Sequence, residues 1–197
     1  HGQRDALATR FASRDVLQAL RLEPELDAAA GAHPDLDEHL AARAAAVLSE
    51  APRALIHGDA CPDNVLLGSG EQWLLVDAET ACWGEPAFDV ATMTVDLLLA
   101  AAALPARSGG FITLAATFLD AYANERRPAD AGVERRVAHL LPALMLARVD
   151  GRVPIGYLDA HMRARVRSFA RNQLRVAPDE LATLRARWAR MVGDIDA

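Results

Sequence analysis

Leu55-Ile56-His57-Gly58-Asp59-Ala60-Cys61-Pro62-Asp63-Asn64-Val65-Leu66-Leu67 sets a polar, turn-forming loop between two short apolar runs. Runs this brief, bounded by Gly, Pro, Asp and Asn, read as strands rather than helix. Beginning one residue earlier, Ala54-Leu55-Ile56 is the first strand and Val65-Leu66-Leu67 the second. A third run, Trp73-Leu74-Leu75-Val76, follows the turn residues Gly68-Ser69-Gly70, so the last two runs form a hairpin.

Outward from this region the periodicity is helical. Towards the N-terminus, Leu7, Phe11, Val16, Leu17 and Leu20 predict one helix over Asp5 to Leu22, ended by Pro24. A second helix follows Pro34, with Asp35 as N-cap and Glu38 completing a capping box, and Pro52 closes it. Its apolar face is Leu36, Leu40, Ala44, Val47 and Leu48. Beyond the hairpin everything reads as helix, with segments near 88–104, 109–125, 132–149, 154–176 and 178–192. Pro142 should kink the third of these or divide it. The pattern predicts a mainly helical α+β fold with a small β-hairpin region.

The chain has 197 residues, 52% hydrophobic and 24% charged, which suits one packed domain and excludes disorder. Two cysteines, Cys61 and Cys82, are too few for a disulfide scaffold and lack zinc-site spacing, so idle thiols in a cytoplasmic protein are expected. The longest apolar run, Val95 to Leu104, carries Asp96 and is shorter than the roughly 20 residues a membrane span needs. It predicts a core helix and no membrane partner. All 21 basic residues are arginine, so no lysine chemistry is open to this chain.

Residues 1–100 hold 6 Arg against 17 Asp and Glu, whereas 101–197 hold 15 Arg against 10. The acidic first half suits Mg²⁺ or a cationic ligand. Arg163, Arg165, Arg167, Arg171 and Arg175 read as a solvated helix face, because few aromatics interleave with them, and no nucleic-acid partner is expected. Trp73, Trp83 and Trp188 read as packing residues, with Trp83 the best placed of the three to face a cleft.

Asp59 and Asn64 stand five positions apart in one loop. A calcium loop is excluded, because the sixth position from Asp59 is Asn64 where glycine is needed. Phosphoryl transfer to an alcohol needs a carboxylate to orient the hydroxyl and take its proton, and oxygen ligands for Mg²⁺ beside the phosphates. Asp59 suits the first task and Asn64 the second. Asp77 and Glu79, just past the hairpin, add hard oxygen ligands of the kind Mg²⁺ prefers.

His57-Gly58-Asp59 with Asn64, followed by Asp77-Ala78-Glu79 and Gly84-Glu85-Pro86-Ala87-Phe88-Asp89-Val90-Ala91, resembles the aminoglycoside phosphotransferase and choline kinase-like family. The resemblance implies a protein kinase-like fold and ATP-dependent phosphorylation of a small hydroxylated acceptor, which the acidic first half would suit to a cationic one. It implies Asp59 as catalytic base and Asn64, Asp77 and Glu79 around Mg²⁺. His57 and Asp89 would be structural supports of the catalytic loop.

The family's nucleotide lobe, with its glycine-rich loop and strand lysine, has no counterpart among the 56 residues before His57. Residues 1–197 are therefore expected to be the C-terminal, acceptor-binding lobe, inactive by itself, with the nucleotide lobe in the same protein or in a separate chain. The alternative is a non-catalytic helical module, either a degenerate kinase lobe or a protein-interaction domain.

Overall fold

The computed structural model describes residues 2–49, 54–70, 72–125, 130 and 132–193. Helix α1 (Gly2–Arg10) stops at Phe11, whose carbonyl accepts a hydrogen bond from the Trp83 amide at 2.7 Å. The chain resumes as α2 (Asp15–Leu17), continues through a π-helical stretch, Gln18–Asp27, and passes into α3 (Ala28–Ala32). The single helix expected over Asp5 to Leu22 is thus broken in its middle and prolonged at its end. Pro24 does not terminate it but lies inside the π-helical stretch, where its carbonyl accepts from the Arg152 amide at 2.8 Å. That partner satisfies a carbonyl the wide turn leaves over. The approach is close enough to demand glycine next door, since a Cβ on Gly151 would lie 3.1 Å from the Pro24 oxygen and 2.5 Å from that of Ala147.

A 3₁₀ turn, Pro34–Leu36, precedes α4 (Asp37–Val47). The capping box expected of Asp35 and Glu38 does not form, because Arg171 and Arg175 hold the Asp35 carboxylate at 2.6 and 2.5 Å. Two guanidinium partners outcompete a local amide. Pro52 lies outside the described residues.

Strands β2 (Val65–Leu67) and β3 (Trp73–Leu75) form the expected antiparallel hairpin, with Val65 opposite Leu75 and Leu67 opposite Trp73. The reading of everything past the hairpin as helix is corrected by β4 (Cys82–Gly84), which pairs antiparallel with β1 (Ala54–Ile56). Three residues carry too little alternation to show a period, and their partner strand lies far back in the sequence.

Helix α5 (Pro86–Ala103) starts on Glu85, whose carboxylate accepts from the Ala87 amide at 2.9 Å, with Pro86 in the first turn. Arg136 holds the buried Glu85 at 3.0 Å. Long and apolar enough to span a membrane, α5 is instead mostly buried, packed against α6 (Ser108–Glu125) and α7 (Val133–Asp150). Helix α7 runs through Pro142 in one piece rather than dividing there.

Helix α8 (Ala160–Val176) begins later than the expected 154, because Asp159 caps it by accepting from the Met162 amide at 2.7 Å. Helix α9 (Leu181–Gly193) closes the fold, its fully buried Trp188 edge-on to Phe169 at 5.1 Å. Of the other tryptophans, Trp73 is exposed and Trp83 lies under the Arg4 guanidinium at 5.6 Å.

The α8 arginines are internal ties rather than a solvated face. Arg163 reaches the Ile155 carbonyl at 2.9 Å and Arg165 the Met191 carbonyl. Arg167 pairs with Asp150 at 2.5 Å, and Asp150 also meets His33 at 2.8 Å. Burial alone would raise the Asp150 carboxyl, but hydrogen bonds from Arg167 and His33 hold it below the usual range.

A carboxylate depressed in the fold stabilises it above its unfolded pKa, and that contribution is lost as pH falls through the folded value. Asp150→Asn should lower stability at pH 7 by about 1 kcal/mol after solvent screening, or about 2–4 °C in Tm. Thermal melts should show the gap to wild type closing below about pH 4. A gap independent of pH would refute the ionic role.

Candidate active site

The turn at His57-Gly58 can be made only with glycine in its second position. Gly58 has φ +81°, and a Cβ there would fall 2.6 Å from the Thr80 carbonyl oxygen. Both amides of this turn point to one carboxylate: His57 donates to Asp89 Oδ2 at 2.7 Å and Gly58 to Asp89 Oδ1 at 2.8 Å. Asp89 stands in the first turn of α5, so the buried helix and the loop are latched together. Burial pushes the Asp89 carboxyl above its ordinary range, against the pull of the two amides.

His57 reaches both sides of the loop. Its Nε2 lies 3.0 Å from the Val76 carbonyl, and its Nδ1 accepts from the Asp59 amide at 3.3 Å. These partners assign the neutral tautomer with hydrogen on Nε2. The ring therefore ties the residue before Asp77 to Asp59, with both nitrogens engaged. Thr80 donates its hydroxyl to the His57 carbonyl at 3.0 Å.

Asn64 closes the loop by donating from Nδ2 to the Asp59 carbonyl at 2.8 Å, while its own carbonyl accepts from the Val76 amide at 2.9 Å. Asp77 is thereby held one residue from a bond to Asn64. It is exposed and sits at φ 66°, a left-handed conformation that aspartate tolerates better than most residues. Glu79, in the 3₁₀ turn Ala78–Thr80, is exposed as well. No cluster of three His, Cys, Asp or Glu residues able to hold a metal occurs among the described residues. The pair Asn64 and Asp77 nonetheless suits Mg²⁺, which takes one or two protein oxygens when phosphate oxygens and water complete its shell.

Asp59 and Asn64 line a cleft of about 750 Å³, whereas Asp77 and Glu79 lie outside its lining. Within it runs a chain of charges the sequence reading missed. Asp59 Oδ1 lies 2.7 Å from Arg21, Arg21 lies 2.7 Å from Glu25, Glu25 lies 2.8 Å from Arg148, and Arg148 lies 2.8 Å from Asp96. Burial would lower the Arg148 guanidinium, but its two carboxylates outweigh that and hold it above its ordinary value. Asp59 Oδ1 is itself buried without a well-directed donor, so the 21% exposure of this side chain lies elsewhere on it.

Two signals could have revealed part of this chain: the i,i+4 spacing of Arg21 and Glu25, and the lone acid Asp96 in an apolar run. Arg148 gave none. Cys61 lines the cleft half-buried, its thiol raised by burial and then by the Asp59 charge, and Cys82 is buried on β4 opposite Ile56 of β1.

Replacing Asp89 by Asn puts an amide donor against one of two backbone donors. Asp89→Asn should destabilise the chain by about 2–3 kcal/mol in urea unfolding. A change under about 0.5 kcal/mol would show that the latch does not hold the loop.

No curated protein matches the chain. The model of the phosphotransferase enzyme family matches residues 2–140, a span containing the latch, the loop, the hairpin and most of the cleft. The protein kinase-like fold of that family agrees with the mainly helical α+β architecture seen here. The match covers well over half of the sequence, and the chain belongs to the phosphotransferase enzyme family.

Proposed function

We propose that this chain is the acceptor-binding and catalytic-loop lobe of an ATP-dependent kinase that phosphorylates a hydroxyl group on a small molecule. The observation that carries this reading is the position of Asp59, held in a ligand-sized cleft by a loop whose two amides are latched to Asp89. The acceptor enters the cleft and presents its hydroxyl to Asp59. Arg21 covers Oδ1, which directs the hydroxyl to the other carboxylate oxygen. Asp59 orients the attacking oxygen and receives its proton as the bond to the γ-phosphoryl group forms and the bond to the leaving ADP breaks.

Asn64 and Asp77, with Glu79 beside them, would hold Mg²⁺, which supplies charge neutralisation on the donor phosphates. His57 sets the distance between this pair and Asp59, since one ring bonds to both sides of the loop. The glycine-rich nucleotide lobe is supplied from outside these 197 residues. Its docking face would include the hairpin, where Leu66, Leu67, Trp73 and Leu74 are exposed together, Leu67 by 83% and Trp73 by 71%.

In a form carrying its nucleotide lobe, Asp59→Asn should lower turnover by about a hundredfold or more with an unchanged melting profile. Steady-state ADP release with an accepted alcohol measures it. Wild-type turnover in the variant would remove Asp59 from the mechanism.

A further inference from the structure

Four carboxylates reach the cleft, and three of them are tied into one chain with two arginines. Glu25 and Asp96 are both held by Arg148, whose side chain is 11% exposed, and Asp59 and Glu25 are both met by Arg21. Only Asp63, exposed at the edge of the catalytic loop, lacks a partner in this network. To use the inner carboxylates, a polycationic ligand would have to draw Glu25 or Asp96 away from Arg148 and strip a buried guanidinium of one of its two partners, which is unfavourable. Two guanidiniums against four carboxylates leave the cleft acidic, but the one carboxylate outside the salt-bridge chain, Asp63, sits at its edge, away from the apolar wall.

Apart from Asn64, Cys61 and Tyr157, the rest of the cleft is hydrocarbon. Leu97, Ala100 and Leu104 come from α5 and its end, Phe111 from α6, Leu20 from the π-helical stretch and Ile155 from the loop after α7. A volume of about 750 Å³ admits a molecule of drug-like size, most of whose surface would meet these side chains. A ligand for this cavity needs a hydroxyl for Asp59 and an apolar body for the opposite wall.

We propose that the acceptor is an uncharged, amphiphilic alcohol, seated with its hydrocarbon face against α5 and α6, and not a polycationic aminosugar. This assignment rests on the reading of Asp59 as the group that receives the hydroxyl, but it can be tested by binding alone.

Cys61 reports on the cleft, because it lines the cavity while Cys82 is buried. The test is the rate of Cys61 alkylation by iodoacetamide in the full chain at one fixed alkaline pH, since the thiolate is the reacting form. The probes are octyl glucoside below its micelle-forming concentration and kanamycin. Octyl glucoside at about ten times its Kd should slow alkylation about tenfold, and kanamycin at the same concentration should leave it unchanged. Leu104→Asp, at a position 46% exposed and therefore tolerant of the change, should abolish the protection.

Protection by kanamycin, protection by neither probe, or protection that persists in Leu104→Asp would each overturn the assignment. Turnover separates the two readings: an Asp59→Asn enzyme with wild-type activity would defeat the phosphotransfer mechanism while leaving octyl glucoside protection intact.

Discussion

The carboxylate of Asp89 is the point on which the loop from His57 to Asn64 hangs. Two successive backbone amides, those of His57 and Gly58, both donate to it, and a buried amide left unpaired costs more than a bond formed in water gains. By meeting both at once, Asp89 converts the start of the most buried helix into a fixed reference for a loop that otherwise consists of turn residues. The asparagine bond within the loop and the imidazole bridge to Val76 act on a segment already anchored at this end. Glu85 repeats the device one turn earlier, capping α5 and binding Arg136 on α7, so the helix that carries the latch is itself braced.

A second constraint shapes the cavity. Burying carboxylates beside an apolar wall is costly unless each has a partner, and the chain meets that cost with arginines placed in alternation with the acids. Guanidinium suits the task because it can face two carboxylates while remaining charged. The same preference appears on α8, where arginines tie the helix to Asp35, Asp150 and two main-chain carbonyls. An arginine-only basic complement here is a way of holding the interior together as much as a surface property.

What could be read in the sequence was what is local in the sequence. The hairpin and the loop residues Asp59 and Asn64 lie within a single stretch whose apolar runs and turn formers are adjacent, so spacing alone displayed them. Asp89 was marked only by the resemblance of Gly84 to Ala91 to the phosphotransferase family. Arg148 was not legible, since it gains its meaning from residues on other elements and does not disturb its own helical period, and Asp96 showed only as a lone acid in an apolar run. The failed cap at Asp35 shows the converse, a clear local signal overruled by two distant arginines. Strand β4 escaped notice for a related reason: three residues become a strand only when β1 is beside them.

The π-helical stretch from Gln18 to Asp27 gives the cleft a sensitivity of its own kind. Its wide turns are what aim Leu20, Arg21, Pro24 and Glu25 at the cavity in their present register. Swapping one of these side chains alters a contact and leaves the others in place. Removing one residue from the stretch would rotate everything on one side of the deletion by about 100° relative to the other, swinging charged groups out of the wall together. A shift of one residue there would re-cut the pocket and displace the buried Leu22 and Leu26 in the same motion, so the length of this segment is constrained from the cavity side and from the core side at once.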